Sequence, residues 1–198
     1  MKALLRLFGL ARFDPAAEAL YRAAVKEGRR ELYYTDWPPK ARVPDTVDGR
    51  FDMISLMAAL LNRRIGMVAR TRQNLAQNLA QELFDVMFAD LDTNLRELGV
   101  SDEGMKHKIK PMASAHLGRV KAYTDCLFEA DESNRLQCLS DAFDRNIYRA
   151  VADADPLPLA RRAMELAAQL AATPDDDILA GRFEFSAPQT PPSPIPED

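Results

Sequence analysis

The sequence predicts an all-α fold: a single compact multi-helix domain with a long ordered loop ahead of its central helices. Three observations predict it. Apolar residues recur at helical spacing through most of the 198-residue chain. No segment alternates with the period of two that a half-buried strand needs. The breaks between apolar stretches carry helix punctuation: Asp14-Pro15 at one start, Gly99 at one end, Ser101 at the next start. The length suits one domain with room for tails.

The elements follow in order. "DPAAEALYRAAVKEGRR" opens with Asp14 as N-cap and Pro15 at the first helical position; Leu20, Tyr21, Ala24 and Val25 form its apolar face and Gly28 its stop. "ELYYTDWPPKARVPDTVDG" has no helical period, and Pro38, Pro39 and Pro44 block helix continuation. Tyr33, Tyr34 and Trp37 make it too aromatic for a free linker, so an ordered loop lying over the helices is expected. From Arg50, the positions Phe51, Ile54, Met57, Ala58, Leu61 and Ile65 follow helical spacing. Met53, Leu56 and Leu60 widen that stripe, which predicts a well-buried helix.

A long helix follows, with Leu75, Leu79, Leu83, Phe84, Met87, Phe88, Leu91, Leu95 and Leu98 as its inward series and Gly99 as the C′ residue. Ser101 caps the next helix, which Pro111 should kink or restart. "DESNRLQCLSDAFDRNIYRAV" and "PLPLARRAMELAAQLAAT" give two more helices, the last ending at Thr173-Pro174. "SAPQTPPSPIPED" is too proline-rich to bury a core, so residues 186–198 read as a disordered tail. Residues 1–13 carry Lys2, Arg6 and Arg12 with no acid and place Leu4, Leu7 and Phe8 on one helical face. That pattern fits a membrane-surface helix or a first helix tucked against the core. It lacks the cleavage site of a secretory signal.

Composition narrows the function. Net charge is −4, which argues against DNA as a partner, because phosphate binding wants a basic surface. Charge is uneven, however: Glu82 to Glu103 holds seven acids and one base, whereas Lys106 to Lys121 holds five basic residues. The blocks could pair across antiparallel helices, form two solvated faces, or present a polarised surface to a partner. Cys126 and Cys138 lie twelve apart, which suits neither a zinc knuckle nor a disulfide framework, and are expected reduced and half-buried. His107 and His116 lack the spacing of a metal pair on one helix. Asp175, Asp176 and Asp177 could suggest Mg²⁺ chemistry, but they follow a proline, where an N-cap is the simpler role. No nucleophile elbow, phosphate loop or zinc-protease motif is present, and no catalytic, cofactor or metal residue is assigned.

"VPDTVDGRFDMISL" stands apart. Pro44-Asp45-Thr46 favours a turn, Asp48 can cap a helix beginning near Arg50, and Gly49 permits positive φ. Arg50 in a helix's first turn opposes the helix dipole, so a carboxylate partner is expected, inside or outside the chain.

That stretch, followed by "LNRRI", "LAQELFDVMFADLDTNLRELGVSDEG", "HLGRVKAYTDCL", "LSDAFDRNIY" and "LAGRFEF" in this order, resembles the ubiquinol–cytochrome c chaperone family, assembly factors of the cytochrome bc1 complex. The resemblance covers roughly residues 14–185 and implies a helical, non-enzymatic chaperone. It implies a newly made cytochrome b client, with a small partner protein and the ribosome as further partners. It also implies a cytoplasmic place, peripheral at the inner face of the membrane. Asp45, Asp48, Arg50, Asp90, Asp92, Arg96 and Arg119 fall in the motif positions and are the tentative partner-binding residues. Met53, Met57, Met87, Met105 and Met112 offer adaptable apolar contact but read mostly as core. The alternatives are a scaffold that binds RNA or the ribosome through the basic helix and an acid-cluster enzyme.

Overall fold

A computed structural model describes residues 12–187. The rest of the N-terminal basic segment, the tail from residue 188 and the Lys106 side chain lie outside the described residues. Helix α1 spans Pro15–Gly28, α2 Val47–Gly66, α3 Gln73–Glu97, α4 Asp102–Phe128, α5 Glu132–Asn146, α6 Leu157–Ala172 and α7 Asp175–Leu179. No strand occurs among the described residues. The all-α expectation holds.

Helix α2 is the hub, packing against α1, α3, α4, α6 and α7. An unbroken run from Phe51 to Leu61 is buried on every side. A helix that apolar survives in water only when neighbours cover its whole circumference. The cost of ordering those neighbours is met by the apolar area they bury together, roughly 25 cal/mol per Å².

Local chemistry sets the helix ends. Asp14 accepts from the Ala16 N–H, Ser101 from Gly104 and Asp131 from Asn134. Gly99 has φ +82°, the left-handed residue that ends α3, and its neighbour's N–H closes back on the Leu95 carbonyl. At α2 the structure corrects two expectations. Thr46, not Asp48, is the N-cap: its hydroxyl accepts from Gly49, and the helix begins at Val47. Gly49 is helical rather than left-handed, and its absent side chain matters differently. A Cβ there would lie 2.0 Å from the Pro44 carbonyl oxygen, so only glycine lets the entering loop fold back on the first turn.

The loop between α1 and α2 is ordered, as its aromatics require. Tyr33, Tyr34 and Trp37 are buried, and Tyr33 and Trp37 meet edge to face at 5.0 Å. The Tyr34 hydroxyl donates to the Gly28 carbonyl, and Tyr148 of the distant C-terminal half donates to the Ala41 carbonyl at 2.6 Å. Tyr33 also bonds buried Glu27, which Arg162 of α6 reaches at 3.1 Å. Side-chain hydroxyls and one buried ion pair therefore hold the loop against both halves of the core.

Three further expectations change. Pro111 does not restart α4, which runs as one helix through it. Leu75 and Leu98, read as inward, are exposed, because α3 is longer than the surface it covers. Cys126 and Cys138 are not reduced: they form a disulfide with Cα atoms 5.4 Å apart. The antiparallel turn from α4 to α5 makes the pair, folding twelve residues back to bridging distance. The three consecutive aspartates each face an arginine: Asp175 pairs with Arg64, Asp176 with Arg72 and Asp177 with Arg182. Asp175 thereby staples α7 to the C-terminal end of α2.

Candidate functional site: an apolar groove at the head of α2

The first turns of α2, the C-terminal end of α1 and the C-terminal half of α3 converge on a groove of about 160 Å³. Val47, Phe51 and Ile54 enter it at helical spacing from α2. Met87, Leu91 and Leu98 face them from α3. Val47 and Leu98 stand open to solvent at the mouth, at 56% and 65% exposure. Exposed apolar side chains that flank a concave apolar surface mark a place where another chain can dock.

Charged groups frame the groove. Arg50 donates to Asp45 at 2.6 Å, so the carboxylate partner that the sequence demanded is its own loop. The pair holds the Asp45 carboxyl below the usual carboxylate range. The Arg50 guanidinium also lies 5.6 Å from the Tyr34 ring centre. On the opposite wall Asp90 accepts from the Tyr21 hydroxyl at 2.7 Å. Burial and that bond to a carboxylate push the Tyr21 phenol up, so it stays a donor. Asp90, Asn94, Tyr21 and Arg29 also line a second, wider groove of about 850 Å³ between α1 and α3, which Asp92 enters as well. Asp90 thus stands on the ridge between the two. Asp92 is tied to Arg96, which also reaches Asp102.

Beneath the groove floor lies a charged network that sequence reasoning missed. Asp52, buried at 1% exposure, faces Arg119 at 2.6 Å and Arg149 at 2.5 Å. Asp48 reaches the same Arg149 at 3.6 Å from the surface side. Arg119 lies 5.6 Å from the Phe51 ring centre, so one face of Phe51 forms the groove floor while the ring also covers an arginine. Burial pushes the Asp52 carboxyl up despite its two arginines, the mark of a charge held in a dry setting. The signal was available: an acid between Phe51 and Met53, inside a helix buried all round, requires a basic partner.

The structure therefore gathers Asp45, Arg50 and Asp90 at one groove and places Asp92 and Arg96 along its wider extension. Asp48 sits at the surface end of the buried network, and Arg119 sits inside it. Arg96 pairs with Asp92 on α3 and with Asp102 at the start of α4, and Lys121 pairs with Asp125 one turn further along α4. Met53, Met57, Met87 and Met105 are core residues and Met112 is half-buried. His107 is a surface residue four positions from Glu103, and His116 is buried between Phe84 and Phe88. No group of three or more metal-binding side chains occurs among the described residues. None of the described helices is long and apolar enough to cross a membrane.

Residues 40–185 match the family model described as "Ubiquinol-cytochrome C chaperone". The solved structure described as the Cbp3 homolog from Brucella abortus is similar at TM-score 0.73 and 28% identity, over 94% of this chain and 97% of that one. No match was found among curated proteins. The matched span begins in the loop ahead of α2 and takes in the Asp45–Arg50 turn, the α2 and α3 walls of the groove and the buried network.

Proposed function

The chain belongs to the ubiquinol–cytochrome C chaperone family, and from that membership we propose that it holds newly made cytochrome b during assembly of the bc1 complex. The observation that carries the proposal is the open apolar groove at the head of α2, bracketed by Asp45–Arg50 on one side and Asp90 on the other. A membrane-protein client offers apolar helix ends joined by cytoplasmic loops rich in lysine and arginine. Val47, Phe51, Leu91 and Leu98 match the first feature; Asp45, Asp48, Asp90 and Asp92 match the second. Arg50 and Arg96 keep those acids oriented until basic groups of the client compete for them, and Arg119 acts from below by supporting Phe51.

The proposed role is that of a chaperone and needs no catalytic group. The site of action in this proposal is the inner face of the membrane, where those loops emerge. In this proposal a ribosome contact would use the exposed Lys108 and Lys110 of α4, and the wider α1–α3 groove would seat a short segment of a small partner protein.

The experiment compares membranes from cells lacking the gene with membranes from complemented strains, by reduced-minus-oxidised spectra and cytochrome b blotting. Wild type should restore both signals. A Val47→Asp/Leu98→Asp variant, changed only at exposed groove positions, should fold normally yet fail to restore them. Full restoration by that variant removes the groove from the mechanism. Normal bc1 in the deletion strain removes the function.

A further inference from the structure

We propose a second binding site, at the opposite end of α2: a cleft that takes a phosphate group, free or carried on a lipid head group. Arg63 lies thirteen residues beyond Arg50 on α2, roughly 20 Å along the helix, so the site is separate from the client groove. The cleft has a volume of about 500 Å³ and is walled by the C-terminal end of α4, the start of α5 and one face of α6. Its floor is apolar and low, built from Leu136, Met164 and the small residues Ala167, Ala168 and Ala171. Three arginines, Arg63, Arg135 and Arg161, come into it from three different helices.

None of these three has a carboxylate within ion-pairing distance among the described residues, a state they share with Arg12, Arg29, Arg42, Arg70 and Arg145, but only these three share one cleft. The Nε atoms of Arg63 and Arg135 are buried and have no hydrogen-bond partner. A buried donor without an acceptor is costly, and a folded chain keeps few of them without a reason. The one contact of the Arg63 head with protein oxygen is a 3.5 Å approach of Nη2 to the Leu127 carbonyl. Arg63 and Arg135 also oppose each other: burial and the neighbouring Arg135 charge both pull the Arg63 pKa down. Of the two acids on the wall, Glu165 already faces Arg162 at 3.3 Å. The cleft therefore holds an excess of positive charge, donors without acceptors and a repulsion that an anion would relieve.

A tetrahedral oxyanion suits this set. Guanidinium groups bind phosphate oxygens through paired N–H donors, and three of them converging from separate helices exceed what one carboxylate needs. The Phe128 ring, 66% exposed, lies 5.2 Å from the Arg63 guanidinium at the rim. An exposed apolar ring beside basic side chains is also a combination found on surfaces that meet a lipid head-group layer. The Cys126–Cys138 bond closes the turn that carries Leu127, Phe128, Glu132, Arg135 and Leu136, so it fixes one wall of the cleft.

The test uses the full chain and an Arg63→Gln/Arg135→Gln variant, with circular dichroism confirming the fold of each. Inorganic phosphate is titrated at constant ionic strength while the thermal midpoint is followed. Co-flotation is then measured with vesicles of phosphatidylglycerol or of phosphatidylcholine. Wild type should be stabilised by phosphate or float with a vesicle. The variant should lose affinity on the order of tenfold, as expected when charge-assisted hydrogen bonds to an ionised ligand are removed. A response to free phosphate identifies a small-anion site, and a response to vesicles alone identifies a lipid head group. The variant should also show a higher midpoint than wild type without any anion, because the arginine repulsion is gone. Equal phosphate and vesicle responses in the two proteins, or none in either, overturn the proposal. Should the double variant fail to fold, Arg161→Gln alone carries the same comparison.

Discussion

The Asp45–Arg50 pair and the Asp52–Arg119–Arg149 cluster are separated by less than one turn of α2, yet their surroundings differ completely. Both partners of the first are half exposed. In the second, Asp52 and Arg119 are almost wholly out of water. The same helix thus carries a charge pair that solvent can reach and another that only protein can satisfy. In water, an ion pair exchanges freely with other partners and adds little to stability. In the interior, the same chemistry cannot be broken on one side without stranding a charge. The surface pair is suited to recognition and the buried one to holding the platform still.

The sharpest way to break that comparison is to strand the buried charge. Asp52→Ala leaves Arg119 inside the protein without its carboxylate and should cost about 3–5 kcal/mol in denaturant unfolding. A loss under about 1 kcal/mol would mean that water reaches Arg119 and that the network is not a dry support. Reduction of the Cys126–Cys138 bond comes next. It releases a loop of twelve residues and should lower stability by about 3 kcal/mol. That loss should fall mainly on the α4–α5 end of the molecule, leaving the groove at the head of α2 intact. Hydrogen exchange with and without reductant separates the two ends.

Acid should act on the buried side as well. Burial, with the Arg119 charge nearby, pushes His116 down to about 4 from 6.5. Above pH 6.5 the imidazole is neutral in folded and unfolded chains alike and contributes nothing. As pH falls from 6.5 towards 4, the unfolded chain takes up the proton and the folded one does not, so stability is lost across that window. The full loss is about 3 kcal/mol. His116→Phe, seated between Phe84 and Phe88, should flatten that part of the stability–pH curve. An unchanged slope would assign the acid sensitivity to carboxylates instead.

These features were unequally legible in the sequence. Helical period revealed the elements, side-chain chemistry revealed the caps at Asp14 and Ser101, and the missing Cβ of Gly99 revealed the end of α3, because all three act over a few residues. Arg50's need for an acid was legible for the same reason, since Asp45 is five residues away. The Asp52 partners lie on α4 and beyond α5, and no local rule points across that distance. The disulfide was hidden likewise: a spacing of twelve means nothing until a helical turn folds it back. Leu98 was read as core because periodicity reports a face, not whether anything covers it. That uncovered position is what makes the groove. Gly49 was assigned to the right turn for the wrong reason, because steric approach of Pro44 is a tertiary fact about the loop's path.

The smallest expected effect on stability belongs to the surface pair, and it decides the functional half of the comparison. Asp45→Asn and Arg50→Gln, separately and together, should leave the unfolding transition where it is, since both groups are solvated with or without each other. Capture of newly made cytochrome b should fall in each single variant. The charge-swapped Asp45→Arg/Arg50→Asp protein restores the pair but reverses what a client meets on each side of the groove. If the pair only stiffens the loop, the swap recovers capture. If the charges are read by basic client loops, the swap stays defective while folding as well as wild type. Reversing Asp90 and Asp92 to lysine tests the opposite wall, with the Tyr21 bond to Asp90 as the one internal contact at stake besides Arg96. Intact capture there, beside defective capture at Asp45 and Arg50, would confine recognition to the α2 side of the groove.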